Sequence, residues 1–135
     1  MTGKSRSSFI DGRVLIVEEQ RETGEVICEC LRSAGAEIVA LVPTFAAALQ
    51  LLLREPVDAV IFDADQISDS EAILLAEELD TRRMPSLMLN GEPVPAGSPL
   101  HEGRAEMLWP FSEVALQEMV RGLVQEARRR LPRPR

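Results

Sequence analysis

Five short apolar runs alternate along the chain with stretches in which apolar residues return every three or four positions. Arg13–Val17 (RVLIV) is rich in β-branched residues and predicts a strand buried on both faces. From Glu22 to Ala34 the apolar positions are Val26, Ile27, Cys30, Leu31 and Ala34, one face of a helix that Gly35 ends. Glu37–Val42 predicts a second strand. Thr44 is placed to cap a helix running to about Arg54, which Pro56 breaks. Asp58–Asp63 contains AVIF and predicts a third strand. Ser68 or Ser70 caps a helix through Leu79, with Ile73, Ala76 and Leu79 inward. Pro85–Leu89 predicts a fourth strand and Glu106–Trp109 a fifth. Ser112 caps the last helix, whose apolar stripe is Leu116, Val120, Leu123, Val124 and Ala127.

Strands that alternate with helices at this spacing form a parallel sheet covered on both faces. The fold class expected is therefore α/β, a flavodoxin-like, doubly wound, five-stranded parallel sheet. One segment breaks the alternation. Between Asn90 and Gly103 stand Pro93, Pro95, Pro99, Gly91 and Gly97, too dense a set of breakers for a regular helix. A Pro/Gly-rich loop is expected where a fourth helix belongs.

A chain of 135 residues, 45 % apolar and 27 % charged, has material for one domain with a real core and no need of metal or disulfide staples. The expected divisions are a disordered N-terminal segment 1–10, a folded domain 11–131 and a disordered basic tail 132–135. The formal charge is −7, yet Arg121–Arg135 carries six Arg and one Glu. Cations suit the end of a helix, and the acidic body would repel a polyanion, so this stretch reads as a solvated helix end and not as a nucleic-acid arm. No Tyr and a single Trp argue against base-stacking platforms. Cys28 and Cys30 lack metal-site spacing and are expected reduced, Cys30 in the core and Cys28 nearer the helix flank. The single histidine, His101, falls in the loop as a solvated side chain. No run approaches the roughly 20 apolar residues of a membrane span. Residues 1–8 lack the apolar stretch of a secretory signal, so a cytoplasmic location is expected.

Ligands of doubly wound sheets sit at the carboxyl ends of the strands. Glu18 and Glu19 follow the first strand there, and Asp63 ends the third. Carboxylates brought together need a cation between them or a raised pKa on one. Oxygen ligands favour Mg²⁺ over Zn²⁺, and a carboxylate beside such an ion can attack phosphorus to hold an aspartyl-phosphate. The plainer reading stays open beside this one: two glutamates facing water and an aspartate starting a turn.

VLIVEE, VDAVIFDAD, MPSLMLNG and LWPF, in this order, resemble the receiver domain of bacterial two-component response regulators over about Arg13 to Leu131. The resemblance implies Asp63 as the phosphoacceptor. It implies Mg²⁺ held by Glu18, Glu19, Asp63 and the backbone carbonyl of Asp65. Asn90 stands where the family has Thr or Ser, Trp109 where it has a Lys that meets the phosphoryl group, and Glu106 where it has an aromatic switch residue. The family's Lys-Pro bond is typically cis, which makes Trp109–Pro110 an expected cis bond.

These departures set the functional expectation. Two glutamates are each a methylene longer than the usual aspartates and suit octahedral Mg²⁺ poorly, so weak binding is expected. Trp109 brings one neutral N–H and no charge, and either covers Asp63 or packs at the strand end. The chain is thus expected to be an atypical, stand-alone receiver, not an enzyme, working through a partner signalling protein, with phosphorylation at Asp63 weak or absent. After Leu131 too little sequence follows for a DNA-reading output domain. The alternative is a single-domain regulator that accepts phosphate from a histidine kinase on Asp63. IFDAD also looks like the paired-aspartate motif of haloacid-dehalogenase-type phosphatases, with Asp63 and Asp65 as nucleophile and acid. Its position on the third strand and the lack of any Lys after it weigh against that.

Overall fold

The structure, a computed structural model, describes residues 9–63, 69–91, 100 and 104–130. Asp65, Ser68, His101, the tail 131–135 and all of the 92–103 stretch except Leu100 lie outside the described residues. The strands are β1 (Arg13–Val17), β2 (Glu37–Val42), β3 (Ala59–Asp63), β4 (Ser86–Asn90) and β5 (Ala105–Leu108). The helices, among the described residues, are α1 (Arg21–Arg32), α2 (Phe45–Arg54), α3 (Asp69–Thr81) and α4 (Glu113–Arg130). All strand pairs are parallel, in the order β2-β1-β3-β4-β5, which is the doubly wound sheet expected.

Strand alternation sorts the core into two layers. Val14, Ile16, Ala59, Ile61, Leu87 and Leu89 face α1 and α4. Leu15, Val17, Val60, Phe62 and Met88 face α2 and α3. Residues of β1, β3 and β4 alternate between layers while staying buried, which is why these strands read as unbroken apolar runs. Gln117, buried on α4, donates to the Cys30 carbonyl at 2.8 Å and to Ser33 Oγ at 3.2 Å, tying α4 to α1.

The helix ends follow the chemistry of their residues. Gly35 holds φ 100° and turns the chain after α1, while Ala36 N–H donates back to Leu31 O at 3.0 Å. Ser112 Oγ accepts from Ala115 N at 3.0 Å. Thr44 Oγ1 accepts from Ala47 N at 3.1 Å. Thr44→Ala is expected to cost about 1 kcal/mol in urea denaturation, and an unchanged midpoint would mean that the hydroxyl contributes nothing.

Several sequence expectations are corrected. Ser70 lies inside α3 and cannot cap it. The inward face of α3 is Ala72, Leu75, Ala76 and Leu79, with Ile73 only half-buried. This is the i, i+3, i+4, i+7 stripe of a core-facing helix, and Ile73 packs against the same core at its edge. Cys28 is 3 % exposed and Cys30 8 %, so Cys28 is no flank residue. It lies against β2 in a cleft that β2 and α1 share. Asp58 precedes β3 and instead takes the Arg13 N–H at 2.8 Å. Trp109 falls just past β5. Ile10, within the N-terminal segment, is fully buried, and its N–H donates to Ala34 O at 2.9 Å.

Candidate functional site

The carboxyl ends of β1, β3 and β4 gather three buried polar side chains: Glu18, Asp63 and Asn90, exposed by 3, 5 and 1 %. Glu18 is buried because the ladder continues one residue past β1. Its N–H donates to Val42 O at 2.9 Å, so its side chain remains over the sheet. Glu19 has left the ladder and is exposed.

Glu18 Oε2 accepts from Gln20 N at 3.0 Å, while buried Oε1 meets no N–H or O–H donor among the described residues. The carboxyl of Asp63 lies within hydrogen-bonding reach of Glu18. Two carboxylates are both acceptors, so this bond exists only with a proton on one of them. Burial first, then the bond to Asp63, pushes the Glu18 carboxyl from 4.5 up to about 7 against the lowering effect of the Gln20 N–H. A proton held between Glu18 and Asp63 near neutral pH is one way to offset their repulsion, and a cation is the other.

Of the residues the sequence assigned to a metal, the structure brings Glu18 and Asp63 together. Glu19 stays at the surface, and the Asp65 carbonyl lies outside the described residues. Among the described residues no three His, Cys, Asp or Glu side chains form a metal-binding group. Among the described residues, the Glu18–Asp63 pair, with one oxygen lacking a donor, offers a cation two carboxylates.

Asn90 Nδ2 donates to the Glu106 carboxylate across the β4–β5 pair. A carboxylate only accepts, so this bond fixes which way the amide is turned. Asn90 Oδ1 is buried and has no donor among the described residues. The Asn90 carbonyl accepts from Trp109 N at 2.8 Å. The Trp109–Pro110 bond is cis, as expected. The indole stacks on Phe111 with ring centroids 4.3 Å apart and lines a groove beside α1. Of the two sequence readings of Trp109, its ring position therefore matches packing at the strand end.

Sequence reasoning did not anticipate the Asn90–Glu106 bond. Nor did it anticipate Arg104, whose side chain is only 2 % exposed. Its guanidinium donates to both Asp80 oxygens at 3.2 Å and to Ser86 Oγ at 3.0 Å, and its Nε donates to Leu100 O at 3.1 Å. An Arg immediately before an apolar strand was the only signal available, and surface arginines share it.

The same arrangement of strands and helices is found in solved structures. A CheY-like response regulator receiver domain protein from Methanospirillum hungatei superposes with a TM-score of 0.76 at 22 % identity, over 87 % of this chain and 97 % of the other. This is the receiver-domain fold. The Francisella response regulator 1452 receiver domain gives 0.73 at 18 %, over 86 % of this chain and 98 % of that one. Full-length FixJ from B. japonicum gives 0.75 at 20 %, over 87 % of this chain and 60 % of its own. Neither a protein-family model nor a curated protein sequence matches the chain. Among the described residues, no helix of this receiver fold is long and apolar enough to cross a membrane.

Proposed function

We propose that this receiver-fold chain is a signalling module that acts through protein contacts, with phosphorylation at Asp63 weak or absent. The observation that carries this reading is the packing of Trp109. At the position where receiver domains are expected to place a phosphoryl-binding lysine, a neutral indole lies against Phe111 in the groove beside α1. Electrostatic compensation is the main aid a protein gives to phosphoryl transfer, and that cation is missing here.

Two further features support it. One of the two Asn90 amide N–H groups is given to Glu106, and the carboxylate it holds beside the site repels a phosphoryl group. The proton favoured between Glu18 and Asp63 competes with any metal. Mg²⁺ would be held by Glu18 and Asp63 and would polarise a phosphoryl oxygen. Its binding should be weak and should tighten as pH rises above about 7, when Glu18 gives up its proton.

The alternative, a regulator that takes phosphate from a histidine kinase, is favoured by one fact: Asp63 ends β3 as the phosphoacceptor reading requires. Intact mass after incubation with acetyl phosphate and Mg²⁺ separates the two, with Asp63→Asn run alongside. The expected result is no phosphoryl adduct above a trace. A near-stoichiometric adduct that Asp63→Asn abolishes would overturn the proposal and send the search to a kinase.

A further inference from the structure

From Ile38 to Leu53 the chain carries no charged residue, although 27 % of all its residues are charged. The second half of that stretch is α2, in which Gln50 is the single polar side chain before Arg54. A helix apolar on all sides is normally covered on all sides. Here Ala48 and Leu52 are buried against the sheet, while Leu53 has 66 % of its surface exposed. The neighbouring α3 repeats the pattern: Leu75 and Leu79 are buried, and Leu74 is 51 % exposed. Both helices lie on the same face of the sheet, and each returns from one parallel strand to the next, so they run in the same direction. Arg82 donates to Leu52 O at 3.5 Å and ties their ends together. Charge is divided along the pair. Glu71 is exposed in the first turn of α3. Arg54 and Arg83 are exposed where the two helices end, with no ion-pair partner among the described residues. The acidic groups at that end are already paired, Glu55 with Arg13, Glu78 with Arg82 and Asp80 with Arg104. Glu77 is exposed one turn earlier, and the end remains net positive.

We infer that two copies of this chain associate through the α2–α3 face about a two-fold axis, with the helices of one copy antiparallel to those of the other. Charge selects a second copy as the occupant. A face that is acidic at one end and basic at the other is complementary to itself once turned end for end. The two-fold axis sets Glu71 of each copy beside Arg54 and Arg83 of the other. The chain as a whole carries −7, so two copies repel each other over most of their surface. The uncharged span of α2 is where that repulsion is least. The exposed leucines supply the apolar burial, and the charged ends supply the orientation. Area sets the strength. Helices of 10 and 13 residues present faces about 15 and 20 Å long and about 10 Å wide, a few hundred Å² per copy. That lies below the roughly 800 Å² per partner of a standard stable interface, so the dimer is reversible, with a dissociation constant on the order of 10–100 µM.

Sedimentation velocity of the full chain from about 1 µM to about 1 mM tests this. The mass is expected to rise with concentration from 14.9 kDa towards twice that value. Leu53→Glu with Leu74→Glu should raise the dissociation constant at least about tenfold and leave the circular dichroism unchanged, because both side chains are at the surface. Two further chains test the orientation. Arg54→Glu with Arg83→Glu makes both ends of the face acidic, and Glu71→Arg makes both ends basic. Each alone should associate at least about tenfold more weakly than the natural chain. An equimolar mixture of the two should recover the natural affinity, because every contact across the axis then joins opposite charges. A natural chain that stays monomeric up to about 1 mM, a dimer indifferent to the leucine changes, or a mixture no better than its components would each overturn the inference. The leucine variant decides the matter alone if Glu71→Arg disturbs the circular dichroism. An Asp63 adduct in the mass experiment leaves this result untouched, so the two readings fail separately.

Discussion

Glu18→Gln is expected to be more stable than the natural chain by about 2 kcal/mol at pH 8, with the gap closing towards pH 5. In the folded protein the Glu18 carboxyl holds its proton up to about pH 7; its ordinary value is 4.5. The folded state therefore binds more protons than the unfolded chain between those values. The stabilisation from that proton is complete below about pH 4.5 and is lost as pH rises through about 7. Above that, two buried carboxylates face each other with one orphan oxygen. Glutamine keeps the shape and the acceptor for the Gln20 N–H, and it adds a donor for Asp63 at any pH. Urea denaturation of both proteins at pH 5 and pH 8 tests this. A gap that does not change with pH would show that Glu18 is not the proton holder.

The second large effect is expected at Arg104. Arg104→Met should cost about 2–3 kcal/mol in the same denaturation assay, although the site carboxylates are untouched. The guanidinium makes four hydrogen bonds from a side chain 2 % exposed. Its loss removes a donor from buried Ser86 and a charge-assisted fork from Asp80. Asp80 itself is 61 % exposed and would be rehydrated, which keeps the cost below that of stranding a buried charge. The clamp joins the end of α3, the first residue of β4 and the residue before β5. It thereby sets β5 in register, Leu87 opposite Ala105, and brings Glu106 to Asn90 further along. A loss below about 0.5 kcal/mol would mean that β5 is placed without it.

How far the sequence could be read depended on whether an interaction is local. The β1, β3 and β4 runs, the Thr44 and Ser112 caps and the Gly35 turn were all legible. Each follows from a handful of neighbouring residues whose backbone preferences and burial pattern act together. Helix faces were legible on α4, incomplete on α3, where Ala72 and Leu75 join the expected Ile73, Ala76 and Leu79, and misread on α1, where Val26 is exposed. Cys28 was misplaced because its cover comes from β2, an element distant in its demands from α1's own pattern. The Asn90–Glu106 bond and the Arg104 clamp join residues 16 to 24 apart and depend on strand register, which periodicity does not supply.

The candidate site divides the same way. Sequence order and strand ends alone placed Glu18, Asp63, Asn90 and Trp109 at one end of the sheet, because parallel strands bring their carboxyl ends together whatever the side chains are. Only the tertiary structure decided what each became. Glu18 is buried and Glu19 is not, because the β1–β2 ladder runs one residue further. Trp109 lies on Phe111 because α1 and α4 leave an apolar groove for it. Charge, burial and proton affinity are set by what surrounds a group in space, and that is fixed by packing between elements far apart in the chain.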